Sequence, residues 1–281
     1  MKKYFDRYFL LLSAVVFFSC DEDQVSGVLP PAELLDEAYG SHAQQKMDIF
    51  LPGGRSQSDT PLLVYIHGGA WIDGDKSEVL QVKPFLESEF AGYALISLNY
   101  RLFDFTTGSN GIATQEQDII SAFDYIEAHL GEWNLSDDIV IAGASAGGHL
   151  ALLHAYKNNS SDLKAAVAFF PPTDLTALYG NNTLTASTLS LLMGGSPESA
   201  ASAYAALSPI SHVDRLDVPT ILFHGDQDAV VPISQSALLE AKLQSENVRH
   251  EFTTVPSQGH GFTADTYAQL LRQARVFIGE F

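Results

Sequence analysis

Five short runs that are apolar at successive positions, four of them followed by a segment of helical period, restrict this chain more than any other feature of its sequence. "PLLVYIHGG", "YALISLNYRL", "DDIVIAG", "LKAAVAFFPP" and "PTILFHGDQD" show no regular polar alternation. A strand with one wet face alternates apolar and polar residues, so a strand apolar throughout is covered on both faces. Between and after them, "SEVLQVKPFLESEF", "TQEQDIISAFDYIEAHLGEW", "GHLALLHAYKN", "SQSALLEAKLQSE" and "TADTYAQLLRQARVFI" read as helices. The second carries a stripe at Ile119, Ile120, Phe123, Ile126 and Leu130, and Pro84 marks an expected kink in the first. "RHEFTTVP" is a further strand, and "KMDIFLP" reads as an edge strand stopped by Pro52. Strands alternating with helices predict an α/β fold with a mostly parallel central sheet and helices on both faces. Residues 175–213, rich in Ser, Thr, Ala and Gly, interrupt the alternation and read as a cap insertion of one or two small helices over the sheet edge.

The first residues follow another logic. Lys2, Lys3 and Arg7 precede an apolar run, "LLLSAVVFF", too short to span a bilayer, which takes about 20 residues. A basic head, a short apolar run and a small residue describe a secretory signal peptide over residues 1–19. Cys20 is the single cysteine of the chain, which excludes an intrachain disulfide. "FFSC" resembles a bacterial lipobox, with Phe17 where leucine is usual; the resemblance implies lipidation of Cys20 and an anchor in the outer membrane, on its periplasmic side or at the cell surface. Residues 20–38 read as a polar tether broken at Pro30 and Pro31, and residues 39–281 as the one folded domain.

In such a sheet the working loops lie past the carboxyl ends of the strands. "GASAG", Gly143 to Gly147, joins a strand to a helix there, with no side chain larger than methyl within two residues of Ser145. G-x-S-x-G in that context lifts the serine on a sharp turn above the sheet. Serine needs a base, and the base an orienting acid, in chain order Ser, Asp, His. "PSQGHGF" supplies His260 after the last strand, flanked by glycines. "ILFHGDQDAVVP" supplies two carboxylates. Asp228, farther out in the loop, is assigned as the acid; Asp226 is the alternative, otherwise a turn carboxylate, and His224 is expected to fix the loop. "YIHGGAW" follows an early strand, and the N–H groups of Gly69 and Ala70 with that of Ala146 form the candidate oxyanion hole, His67 bracing the loop. His149, His154 and His129 are expected to be packing or surface residues.

These motifs, in order with "QQKMDIFLP", "FFPPTDL" and "LMGGSPESAASAYAALSPISHV", resemble the α/β-hydrolase-fold carboxylesterases related to hormone-sensitive lipase, and within them an acetylxylan/feruloyl esterase-like branch. The resemblance implies a serine carboxylic-ester hydrolase working through an acyl-enzyme, without cofactor or metal, and a supporting role for Arg101 in "NYRL". An arylformamidase-like amidase, a serine peptidase or a catalytically idle binding lipoprotein on the same fold are the other readings. The formal net charge of −19 excludes nucleic acid as a partner and disfavours an anionic substrate. A neutral small-molecule or oligosaccharide ester is therefore expected. Its acyl group is expected to be short, because residues 181–211 offer little apolar surface beyond "LSLLM" with which to line a channel.

Overall fold

The computed structural model of the protein describes residues 28–158 and 163–281. The expected signal peptide and Cys20 lie outside those residues. One eight-stranded sheet runs through the molecule in the order β1-β2-β4-β3-β5-β6-β7-β8. Its strands are β1 Ala32–Ala38, β2 Lys46–Leu51, β3 Leu62–Ile66, β4 Ala94–Leu98, β5 Ile139–Ala144, β6 Leu163–Phe169, β7 Thr220–Gly225 and β8 His250–Val255. Pairing is parallel from β4 through β8, and β2 runs antiparallel to both of its neighbours.

The period of two in a strand divides each apolar run between two cores. Val64, Ile66, Ile139 and Ile141 face one side, where they pack with α2 (Ile112–Trp133), α3 (Ala146–Lys157) and α7 (Ser234–Glu246). Leu63, Val140, Ala142 and Val167 face the other, with α1 (Val79–Glu89) and α8 (Ala264–Ile278). This two-sided burial is the α/β architecture that the strand pattern predicts, and it agrees with the hydrolase fold that the motif resemblance implies. Helix α1 continues through Pro84.

The sheet edge differs from the sequence reading. The tether expected over residues 20–38 cannot extend that far, because Ala32–Ala38 form β1, which takes the edge that "KMDIFL" was expected to occupy. The cause of the misreading is local. A bulge between Leu34 and Glu37, with Asp36 at φ 58°, breaks the alternation that would have marked "AELLDEA" as a strand. The Asp36 N–H donates to Asp48 at 2.9 Å, and the Lys76 ammonium bridges Asp48 at 2.7 Å and Asp36 at 3.0 Å, tying the edge to the turn after β3.

The insertion between β6 and β7 holds three short helices where one or two were expected: α4 (Leu175–Tyr179), α5 (Thr183–Met193) and α6 (Ala201–Ala206). Asp174 and Asn182 accept N–H bonds as N-caps of the first two, and Gly194 ends the second in the left-handed region. Leu178, Leu189, Leu192 and Tyr204 bury themselves in the core on the α2/α3 side.

Two histidines on α3 carry a cost. Burial pushes both His149 and His154 down to about 4. His149 has partners at both nitrogens, whereas His154, 3% exposed and with its ring centroid 4.1 Å from that of Phe123, has none among the described residues. Between about pH 6.5 and 4 the unfolded chain therefore binds more protons than the folded one, and stability falls as pH falls through that window. His154→Leu removes an unpaired buried imidazole. It should raise stability by about 1 kcal/mol at neutral pH and weaken the acid-side decline, measured by urea unfolding at pH 7 and pH 5.

Candidate active site

The carboxyl ends of β3, β5, β7 and β8 open on the same edge of the sheet, and the loops that follow them carry Gly69, Ser145, Asp228 and His260. Ser145 sits between β5 and α3 at φ 54° and ψ −123°, a conformation a non-glycine residue holds only when its surroundings impose it. Its N–H donates to the Phe169 carbonyl at 2.9 Å, and its carbonyl accepts the His149 N–H at 2.9 Å. A Cβ on Gly147 would stand 2.1 Å from the Ile66 carbonyl oxygen, so only glycine lets α3 approach β3 this closely. The turn thus aims the hydroxyl outward and leaves the first N–H groups of α3 beside it.

The Ser145 hydroxyl lies 2.8 Å from His260 Nε2, and His260 Nδ1 lies 2.7 Å from Asp228 Oδ2. With the ring proton on Nδ1 donated to the carboxylate, Nε2 accepts the serine O–H. Asp228 is wholly buried at its side chain, while His260 keeps 19% exposure. Burial alone would raise the carboxyl pKa. Hydrogen bonds from His224 and His260, the His260 charge and the Val230 N–H at 2.8 Å instead hold it well below the usual carboxylate range. The second oxygen pattern is complete: Oδ1 also accepts the Val231 N–H at 3.0 Å. His224, fully buried, donates from Nε2 to the Val231 carbonyl at 2.9 Å with Asp228 at 3.3 Å, and accepts at Nδ1 from the Ser236 hydroxyl. It fixes the loop, as expected. Asp226 points away and accepts the Ser257 N–H at 2.7 Å, the turn role that was its alternative.

Across the serine lies the loop after β3. Gly69, Ala70 and Trp71 all hold positive φ (100°, 52° and 65°), and a Cβ on Gly69 would meet the Asp73 carbonyl oxygen at 1.9 Å. The Gly69 carbonyl accepts two N–H bonds, from Ile72 and Asp73, at 3.0 Å each. The N–H groups of Gly69, Ala70 and Ala146 make no hydrogen bond among the described residues; Gly69 and Ala70 line the same cavity as Ser145, and Ala146 follows it at the start of α3. The structure thus brings Ser145, His260 and Asp228 into one hydrogen-bonded relay, with Gly69 and Ala70 in the lining of the same cavity.

Sequence reasoning missed the residues that hold this strained loop. Trp71 Nε1 donates to His149 Nδ1 at 3.3 Å, and His149 Nε2 donates to the Leu207 carbonyl at 2.8 Å, linking loop, α3 and cap. The Trp71 carbonyl accepts from Gln115 at 2.8 Å, and the Tyr100 hydroxyl donates to the Gly68 carbonyl at 3.1 Å. His67 stacks on Tyr100 at 4.5 Å and donates to the Gly68 carbonyl at 2.8 Å; burial keeps its pKa below the ordinary imidazole value. Of these residues only His67 was given a bracing role from the sequence. The Arg101 guanidinium pairs with the buried Asp118 carboxylate at 2.6 Å, and that carboxylate also accepts from Gln45 at 2.8 Å.

A cavity of about 460 Å³ opens at Ser145 and His260. Its lining contains no cap residue. It runs instead between α1 and α8, over Tyr65, Ala142 and Val167 of the sheet. The expectation of a short acyl group took the cap as the source of any channel, and the cap is not that source. Among the described residues, no group of His, Cys, Asp and Glu is arranged as metal ligands would be, and no helix is long and apolar enough to cross a membrane.

Residues 47–243, well over half of the chain, match the family model BD-FAE. The chain is similar to the probable carboxylic ester hydrolase LipM of Mycobacterium tuberculosis (strain ATCC 25618 / H37Rv), 29% identical over 72% of this chain and 49% of the relative. It is 25% identical to esterase LipC of the same organism, over 80% of this chain and 58% of that one. It thus spans roughly half the length of these relatives. Among solved structures, a bifunctional GH43-CE protein of Bacteroides eggerthii superposes with a TM-score of 0.74 at 29% identity, over 88% of this chain and 38% of the other. A truncated carbohydrate esterase from gut microbiota, at 24% identity, shares the fold with a TM-score of 0.75 over 89% and 95% of the two chains.

The two aspartates separate cleanly by experiment. Asp228→Asn should slow covalent labelling of Ser145 by a fluorophosphonate by about 10³-fold or more, because the amide no longer fixes the tautomer that leaves Nε2 free to accept. Asp226→Asn, which loses a turn contact only, should slow it by less than about tenfold, read as labelling rate under the same conditions.

Proposed function

The chain belongs to the BD-FAE family, and we propose that it is a serine carboxylic-ester hydrolase acting through an acyl-enzyme. One observation carries this reading: an unbroken relay from the buried Asp228 through His260 to Ser145, at 2.7 and 2.8 Å, beside backbone N–H groups that have no other partner. The relatives named as ester hydrolases support it.

In the first half-reaction the Ser145 oxygen attacks the ester carbonyl carbon while its proton passes to His260 Nε2. The carbonyl oxygen takes up the negative charge beside the N–H groups of Gly69 and Ala70, in the loop fixed at Trp71 and Gly68, and that of Ala146 at the start of α3. Asp228, kept ionised, stabilises the imidazolium. Collapse of the tetrahedral species breaks the ester C–O bond, and the departing alkoxide takes the proton from Nε2. A water then attacks the acyl-serine with His260 as base, and the carboxylic acid and free Ser145 result. Donors that need no reorganisation are the largest contribution of such a site, and each is worth about 10² to 10³ in rate.

The proposed substrate is a neutral ester of a small molecule or an oligosaccharide, in keeping with the net charge of −19. We also propose that the protein works outside the cytoplasm, lipidated at Cys20 and anchored to the outer membrane. One acyl chain holds a protein only marginally, and the three of a bacterial lipoprotein hold it firmly.

Ser145→Ala should lower kcat on a p-nitrophenyl ester by about 10⁴- to 10⁶-fold with the fold intact by circular dichroism; a loss below about tenfold would remove the serine mechanism. For the anchor, wild-type cells fed an alkynyl palmitate analogue should yield labelled protein in the membrane fraction. Cys20→Ser should yield none, and an unlabelled wild-type protein would overturn the lipoprotein reading.

A further inference from the structure

We propose that the cleft between α1 and α8 holds the acyl group of the substrate, and that this group is an unbranched apolar chain of about six to ten carbons. The proposal rests on the ester-hydrolase reading of Ser145. It concerns what that site takes.

The cleft begins where the chemistry begins, at Ser145, His260 and Gly69, and descends along the sheet face. Its floor is set by neighbouring strands in register, Tyr65 beside Ala142 and Ala142 beside Val167. Ala142 is the small residue of that row, and the missing bulk above it is part of the space. Val82 and Leu86 of α1 form one wall, and Leu271 of α8 forms the other. Glu78, just before α1, and Gln81 in its first turn lie at the solvent end of the cleft, and the Glu78 carboxylate accepts the Asp75 N–H in a capping box. Beyond them the α1 wall turns apolar, and Leu63 and Phe90 line the far end.

From Val82 to Phe90 the apolar part of this wall rises by about 12 Å, at about 1.5 Å per residue. Carbon–carbon bonds of about 1.5 Å advance a zigzag chain by somewhat less than that per carbon, so the cleft has room for a chain of ten carbons. An acetyl group would fill only its mouth and leave most of a 460 Å³ apolar space without a partner. The acyl group is the half of the ester that fits a space of this kind. The alcohol must leave and be replaced by water at Ser145 while the acyl group stays attached, and a polar alcohol gains nothing from apolar walls.

The test uses the full-length protein and two series of esters at monomeric concentrations. In one, p-nitrophenyl esters lengthen the acyl group from acetyl to dodecanoyl. In the other, acetate esters lengthen the alcohol. Burial of each methylene favours binding by up to a few-fold, so kcat/KM should rise about tenfold or more from acetyl to octanoyl. It should peak between hexanoyl and decanoyl, with no comparable rise in the alcohol series. Leu86→Trp fills the cleft and should lower the octanoyl-to-acetyl ratio of kcat/KM at least tenfold; Val82→Trp, nearer the mouth, is the second variant should the first fail to fold. Fluorophosphonate labelling of Ser145 reports independently on the site. Labelled enzyme whose kcat/KM falls from acetyl onward, or climbs only with the alcohol, overturns the acyl cleft and leaves the hydrolase standing. Failure of both labelling and hydrolysis overturns the hydrolase reading, and the cleft with it.

Discussion

The backbone of Ser145 is the constraint on which the rest of the site depends. At φ 54° and ψ −123° the residue sits outside the regions that sterics leave open to a side chain, at a cost of order 1–3 kcal/mol. That conformation exists because β5 must end and α3 must begin within one residue, with α3 pressed against β3 closely enough that Gly147 admits no Cβ. The strain offers two returns at once. It projects the hydroxyl above the sheet, and it leaves the Ala146 N–H at the positive end of a helix facing the same point. A relaxed turn would deliver one of these and not the other.

The opposite side of the site obeys the same rule by different means. Three consecutive positive-φ residues, two of them not glycine, need restraints from outside the loop. Those restraints come from four directions: Tyr100 after β4, Gln115 of α2, His149 of α3 and, through His149, the carbonyl of Leu207 at the end of the cap. The cap thus meets the chemistry as a brace for Trp71 and contributes nothing to the cavity wall. The neutral state of His149, kept by burial at about 4, matters to that brace. A protonated ring would carry a proton on both nitrogens and could not accept from Trp71 Nε1.

Much of this was legible in the sequence because it depends on local pattern. Strands buried on both faces write themselves as apolar runs, and the glycines around Ser145 and His260 mark places where backbones must approach or bend. The order Ser, Asp, His fixed the three positions of the relay, and the choice of Asp228 over Asp226 follows from reach along the loop. What stayed hidden has physical causes as definite. β1 was read as tether because a bulge at Asp36 destroys its alternation. Tyr100 and Gln115 were passed over because a residue that braces a loop from another element carries no local signature; Gln115 stands 44 residues from Trp71, whose carbonyl it holds.

The cavity shows the limit of pattern reading most sharply. Val82, Leu86, Leu271 and Val167 have the spacing of ordinary core residues, and a sequence cannot distinguish an apolar wall that touches its neighbour from one that stands off it. Whether two such walls close depends on the small residue between them, and Ala142 occupies that place on β5. The neighbouring row repeats the point. Ala144, two residues on and on the same face, is again small, so the side of β5 that faces α1 and α8 narrows in bulk as it approaches Ser145. The sparing of side chains around the nucleophile therefore extends below it. In the cleft we propose for the acyl group, the small residues around Ser145 continue down the strand as the floor along which the chain would lie.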